Sequence, residues 1–420
     1  MSKNARDKRP YVKPVTRIEL SETNIKLRWI AIALLLAIAV VAIGYGFASA
    51  LSTEPGWQEV RATSSEINYS GDFTLMYEFG QDGISPTAEY KLVSDMYSGL
   101  TEDAYRIFSP DAQIEDFPNL YYLNRHPNET VQVAHELYKA LELVAEYESR
   151  YPFLAPVQAV YDPVFLAQTD VEAALSDPAM NPEQGSRARE TAAYAADPAM
   201  VSVEVFGSDE VRLNVSGEYL AYAQENGIET FLDLGWMRNA FIVDCMADAL
   251  AASGYTNGYL ASYDGFTRNL DDRGNSYSFN LFDRQENTVL MPALLDYSGP
   301  MSIVFLRDYP LSDQDRWHYY SYENGHITTA FLDPADGVSK SAVDSLGGYS
   351  ADLGCAEILL LLAPAFTADS LNTEALSGLA SSGIDTLWYE GSTLYHSQAD
   401  AALTILPDSG GEGYTMEQAK

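Results

Sequence analysis

Cysteine is nearly absent. Cys245 and Cys355 are the two among 420 residues. Neither has a neighbour at metal-ligand spacing, so a zinc site is not indicated. In an oxidising compartment the two could pair; the competing reading is a pair of buried thiols. Histidine is also scarce. His126, His135, His318, His326 and His396 are scattered, and each reads as a surface or core residue rather than a catalyst. Positive charge is scarce after residue 28, where seventeen Lys/Arg face fifty-seven Asp/Glu, a net of −40. Such a field disfavours phosphate backbones, so nucleic acid is not an expected partner. A nucleophile elbow, a Walker loop, HExxH and a dinucleotide fingerprint are all missing. A Gly347-Gly348 pair has no supporting partner residues. Internal repeats and low-complexity stretches are absent too.

One long apolar run is present. Trp29 to Leu51 carries no charge and is long enough to span a hydrocarbon core of ~30 Å. Eight Lys/Arg against three Asp/Glu precede it. The positive-inside rule therefore predicts a cytoplasmic leader (1–28), one transmembrane helix (29–51) and a main domain outside the cytoplasm. The rival reading is a cleaved signal peptide, for which Ala48-Ser49-Ala50 supplies a small-residue site. Both readings put the main domain outside.

Nearly half of the residues are apolar, which excludes disorder for most of the length. A polar tether is predicted at 52–70, one domain at 71–408 and a flexible tail at 409–420. Alternation predicts a strand at Asp72–Phe79, and helical spacing predicts Ala88–Ile107 and Thr130–Tyr147. Residues 169–199, rich in Ala, Asp, Pro and Glu, read as a surface insertion. Val201–Phe206 and Val211–Val215 flank a turn and predict a hairpin. A helix is predicted at Phe241–Ser253 and a buried one at Ala351–Leu362. Short strands are predicted at Gly258–Ser262, Ser276–Phe282, Met301–Leu306, Trp317–Tyr322 and His326–Leu332. The elements have no regular βαβ rhythm, which favours an α+β fold.

Three segments stand out in order: Asp233-Leu234-Gly235-Trp236-Met237-Arg238-Asn239 running on to Asp244, Asp333-Pro334-Ala335-Asp336-Gly337, and Ser350-Ala351-Asp352-Leu353-Gly354-Cys355-Ala356. Their order and spacing resemble the FAD:protein FMN transferases, the ApbE-like family, whose hallmark runs are DLGGIAKGYAVD, HIIDPRTG and SADALAT. Asn124, with the helix after it, looks like the family's SEISxLN stretch. Ser149–Pro156, which contains Phe153, loosely resembles its SxGAFDPT turn. The resemblance covers roughly residues 72–405. It implies an α+β flavin-transferase fold, with FAD and Mg²⁺ as cofactors and transfer of FMN to a Thr or Ser of an extracytoplasmic flavoprotein. A hard metal at the pyrophosphate would neutralise the charge that accumulates under attack. On this resemblance the candidate cofactor-binding residues are Asp233, Asn239, Phe331 and Phe153. The candidate metal ligands are Asp352 and the backbone carbonyl of Trp236.

The chain departs from the family pattern at many of these points. The Thr of SADALAT is Ala356, the second Gly of DLGG is Trp236, the Lys is Asn239, the His of HIIDP is Ala330 and the Thr of DPRTG is Asp336. For Asp233 and Asp352 the plain structural reading is a helix N-cap; for Trp236, Phe331 and Tyr263 it is core packing. Two functions are therefore expected in competition. One is a non-catalytic relative that binds a ligand or protein through the old cleft. The other is an active Mg-dependent FMN transferase.

Overall fold

The computed structural model describes residues 53–419 apart from Asp82 and Asp400. The predicted leader and membrane span lie outside the described residues. Among those described, no helix is long and apolar enough to cross a membrane.

Nine strands form the main sheet, in the spatial order Gly56–Val60, Phe73–Phe79, Gly258–Ser262, Phe266–Asn269, Met301–Arg307, Ser345–Ser350, Asp385–Glu390, Thr393–His396 and Thr415–Gln418. All neighbours are antiparallel except the last pair, which is parallel. Two sequence expectations change here. Part of the predicted tether is the edge strand Gly56–Val60, and part of the predicted tail is the opposite edge, Thr415–Gln418.

Both faces of the sheet are covered, and the period-2 alternation of a strand sorts side chains between them. Val304 and Leu306 join the large core, whereas Ile303 and Phe305 join a second cluster. The large core is roofed by helices. Arg238–Ala252 packs on Gly258–Ser262 and Phe266–Asn269, and Cys355–Phe366 packs on Met301–Arg307 and Ser345–Ser350. The second cluster lies under a three-stranded sheet, Ser276–Gln285, Thr288–Ser298 and Leu403–Ile405. The Gly347-Gly348 pair serves this double packing. A Cβ on Gly347 would meet Leu387 Cδ1 at 2.7 Å, and one on Gly348 would meet Ile358 Cγ2 at 3.0 Å. The pair lets both layers approach the sheet closely.

The predicted hairpin forms as Val201–Phe206 and Glu210–Val215, closed through Ser208 and Asp209 at positive φ. Thr130–Tyr147 is not one helix. Thr130–Gln132 is a strand that pairs with Glu210–Val215, and the helix starts at His135. The β-branched Thr130 and Val131 suit that edge, and tertiary pairing outweighs the helical spacing. Residues 169–199 contain two helices, Asp170–Ser176 and Pro182–Ala195. Ala188, Ala192 and Ala195 are buried in the large core, so the segment's inner face is structural. Cys245 and Cys355 are both free thiols.

Candidate functional site

The segment Phe231–Asp233 is held in place by one buried amide. Asn124 Oδ1 accepts from the backbone N–H of Phe231 (2.8 Å) and Leu232 (2.9 Å). Its Nδ2 donates to the carbonyls of Leu120 (3.0 Å) and Leu232 (2.8 Å). This uses both donors and both lone pairs of the amide. The Asp233 N–H donates to the Pro152 carbonyl at 2.8 Å. The backbone then turns through Gly235, at φ +53°, into the short helix Gly235–Met237. Leu234 precedes that turn and Met237 precedes the Arg238–Ala252 helix, so Asp233 is at neither N-cap position.

Asp233 faces a cavity of about 260 Å³ whose lining includes Asp111, Tyr151, Leu154, Gln158, Asp162, Thr230, Trp236, Ala330 and Leu332. Asp111 and Asp162 are exposed and Asp233 is half-buried. Lys, Arg and His do not contribute to this lining. Burial, above all, raises the Asp233 carboxyl above the usual range; Asp111 adds to this, while Arg238 and nearby backbone amides oppose it. The Asp162 carboxyl is raised as well, although the residue as a whole is exposed: crowding by neighbouring protein removes water from the group first, Asp233 and Asp111 add to this, and a hydrogen bond from Gln158 opposes it. Arg238 itself does not line the cavity. Its guanidinium lies 4.4 Å over the Tyr69 ring, with Asp72 at 3.6 Å.

Of the six candidate residues, two meet at this cavity: Asp233 and Trp236. The Trp236 indole forms part of its wall, edge-on to Phe331 (4.9 Å) and Tyr151 (5.9 Å). Phe331 is buried behind it against Tyr319 and Phe366. Phe153 is 2 % exposed, lies under the Arg150 guanidinium, and borders a separate concavity with Ser149 and Val203. Asn239 is buried and donates to Asp264 Oδ2 at 2.9 Å. Asp352 is exposed. It does not cap the following helix, which has Gly354 at its N-cap. The carboxylates Asp111 and Asp162 were not anticipated. They sit in Ser-Pro-Asp and Tyr-Asp-Pro contexts that read as turns, and only the folded chain brings them beside Asp233.

The two C-terminal motifs are committed to structure. In the Asp333–Gly337 turn, Lys340 Nζ lies 2.8 Å from Asp333, 2.8 Å from Asp336 and 2.9 Å from Asp369. Gly337 takes φ +69°, where a Cβ would meet Ala192 Cβ at 2.8 Å. The turn therefore docks tightly on the Pro182–Ala195 helix. At the third motif, Asp244 reaches across from its own helix and accepts from the N–H of Cys355 (2.9 Å) and Ala356 (2.8 Å). Its Oδ1 also accepts from Arg268 at 2.7 Å. Ala356 is 1 % exposed, so a methyl group stands where a hydroxyl ligand would be needed.

These residues do not fit FAD and Mg²⁺. One exposed carboxylate and a buried methyl are a poor donor set for a hard cation. Among the described residues no three His, Cys, Asp or Glu converge on a metal position. The cavity at Asp233 is anionic and would repel a pyrophosphate.

Asp264 gives a pH-dependent handle on this region. Burial, opposed by Ser262 and Arg307, lifts its carboxyl from 3.8 to about 6. The folded protein therefore favours the acid form. The group's contribution to stability is present below the ordinary carboxylate value and is lost as pH rises through about 6. Asp264→Asn keeps an acceptor for Asn239 and cannot ionise. It should melt higher than the parent at pH 7.5 and lose that advantage at pH 4, as thermal melts at the two pH values will show.

No family model and no curated relative matches the chain. Solved structures do. The ApbE protein of Thermotoga maritima aligns with a TM-score of 0.53 and 14% identity, covering 83% of this chain and 96% of that one. The flavin transferase ApbE from Vibrio cholerae aligns with a TM-score of 0.51 and 13% identity, covering 86% of this chain and 100% of that one. At such identities the likeness is one of backbone architecture, and it extends over nearly the whole of both relatives: this chain has the ApbE-like flavin-transferase fold.

Proposed function

We propose that this is a membrane-anchored, extracytoplasmic protein that has kept the flavin-transferase fold as a ligand-binding scaffold and does not carry out metal-dependent FMN transfer. The observation that carries this reading is the state of the third motif. Asp244 occupies the two amides at its helix start, the Ala356 side chain has no donor atom, and Asp352 stands exposed. The loss of the cation at Asn239 and the anionic lining around Asp233 point the same way. Removing one such electrostatic contact commonly costs about 10²–10³ in rate.

The test is incubation of the purified full chain with FAD and Mg²⁺, read as AMP release and flavin transfer to a threonine-containing acceptor protein. AMP release at the no-protein background supports the reading. Metal-dependent turnover like that of a full-motif transferase overturns it in favour of the active enzyme, whose partner would be an extracytoplasmic flavoprotein.

Topology has its own measurement. Protease added to spheroplasts should degrade the acidic domain and spare the basic leader. Protection of the entire chain would defeat the anchored arrangement.

A further inference from the structure

The short helix Asp170–Ser176 is apolar on its outer face, where a surface helix is ordinarily polar. Ala173 is its inward residue and is fully buried with Val164 and Tyr322. Val171 and Leu175 lie one turn apart on the opposite side, and they are 73% and 66% exposed. The chain entering the helix adds Leu166 at 57%, and the turn leaving it adds Met180 at 39%. Single exposed aliphatics are ordinary, whereas a group of them on one short element is the signature of an interaction face. The element is also pinned in place. Asp170 accepts from the Tyr320 hydroxyl (3.1 Å) and from the Glu323 N–H (3.0 Å), and the Thr169 hydroxyl caps the helix by accepting from the Glu172 N–H (3.3 Å).

Charge selects the occupant. Residues 151–186 hold Asp162, Asp170, Glu172, Asp177 and Glu183 and no Lys, Arg or His. Glu172 is exposed between Val171 and Leu175, and Asp162 and Glu183 are exposed on the flanking helices. A second copy of this chain, in the isologous contact of a dimer, would set these carboxylates against their own kind. A lipid surface is bound by helices whose polar face is rich in Lys and Arg, and this one has neither. We infer that the Val171–Leu175 face docks an amphipathic helix of a basic partner protein. Apolar side chains of the partner pack against Leu166, Val171 and Leu175, and its Lys or Arg residues pair with Glu172 and the flanking carboxylates. An i,i+4 pair on each helix has the same ~6 Å step, which suits ridge-into-groove packing. Four apolar side chains make a small interface, so the complex is transient.

The docking face does not depend on the scaffold reading: AMP release in the FAD assay would overturn that reading and leave this face to its own test. The full chain in non-ionic detergent is titrated into a fluorescein-labelled amphipathic helix of leucine and lysine, about 14 residues or roughly four turns long, and binding is read as fluorescence anisotropy. The salt is ~0.15 M, where screening over ~8 Å suppresses bulk attraction to the acidic domain. The lysine helix should bind with a Kd on the order of 10⁻⁵ M, and the same helix with glutamate for lysine at least tenfold more weakly. Val171→Ser combined with Leu175→Ser should weaken the lysine helix tenfold or more, and Glu172→Gln about threefold. Leu92→Ser, at an aliphatic that is 50% exposed on the Pro86–Phe108 helix, should leave binding unchanged. All of these side chains are exposed, so far-UV circular dichroism should match the parent. Parent-like binding by the double variant, an equal loss in Leu92→Ser, equal binding of the glutamate helix, or no binding up to ~1 mM peptide overturns the assignment. Two further measurements judge the rival occupants. A dimer in sedimentation velocity that the double variant abolishes assigns the face to a second copy. A polarity-sensitive dye on Val171→Cys that shifts to the blue in phosphatidylcholine–phosphatidylglycerol vesicles, with no peptide added, assigns it to lipid. Either result overturns the basic partner.

Discussion

Replacing Asp244 by alanine should lower the unfolding free energy by about 3–5 kcal/mol, measured by denaturant titration. The estimate follows from breaking a buried ion pair on one side. Arg268 is 19% and Asp244 15% exposed at the side chain, so both charges are largely out of water. Without Asp244, Arg268 keeps, among the described residues, the ion pair with Asp248, which is 70% exposed and screened by solvent. The amides of Cys355 and Ala356 lose their acceptors as well, and an N-cap loss alone costs ~0.5–2 kcal/mol. The two effects share one side chain and need not add. Asp244→Asn keeps one acceptor oxygen and should fall between the parent and the alanine variant. A loss below ~1 kcal/mol for Asp244→Ala would show that this contact does not hold the two helices together.

The second large effect is expected at Asn124. Aspartate at this position is nearly isosteric but has no donor when ionised. Asn124→Asp would take a donor from the Leu232 carbonyl and the second donor from the Leu120 carbonyl, and would place a charge at a site that is 3% exposed. Each unsatisfied buried group costs ~1–3 kcal/mol, so a loss of about 3–5 kcal/mol is expected at pH 8. Asn124 fixes Phe231 and Leu232, just ahead of Asp233, so the loss should be felt in the wall beside that residue. An unchanged unfolding free energy would mean that the amide does not position this wall.

The contrast between Asn124 and Asp244 explains what the sequence made legible. The ordered motifs marked backbone devices: the Asn124 staple, the Gly235 turn and the Asp333–Gly337 turn. Such devices need particular residues at particular chain positions, so they survive as readable patterns. Chemistry across the fold left no such trace. Asp244 was visible as the end of a motif, but its role depends on a helix that starts 111 residues later. Lys340 lies in no motif, yet it pairs with Asp333, Asp336 and Asp369. Phe153 and Phe331 are aromatics in motif-like contexts, and burial decides their role. The strands Thr288–Ser298, Ser345–Ser350 and Asp385–Glu390 went unread because they are buried on both faces or mixed in pattern. Their period-2 signal is correspondingly weak.

The order of strands in the main sheet has a consequence for how the chain is made. Phe73–Phe79 pairs on one side with Gly56–Val60 and on the other with Gly258–Ser262. Its second partner therefore emerges from the ribosome about 180 residues later, roughly 9–36 s at ordinary elongation rates. Throughout that interval the first hairpin carries an open edge and an apolar face made of Phe73, Leu75, Tyr77 and Phe79. An open edge of this kind is a template for wrong pairing between nascent chains. Yield of the folded protein should thus depend on whatever shields this hairpin during synthesis, more than on the stability of the finished sheet.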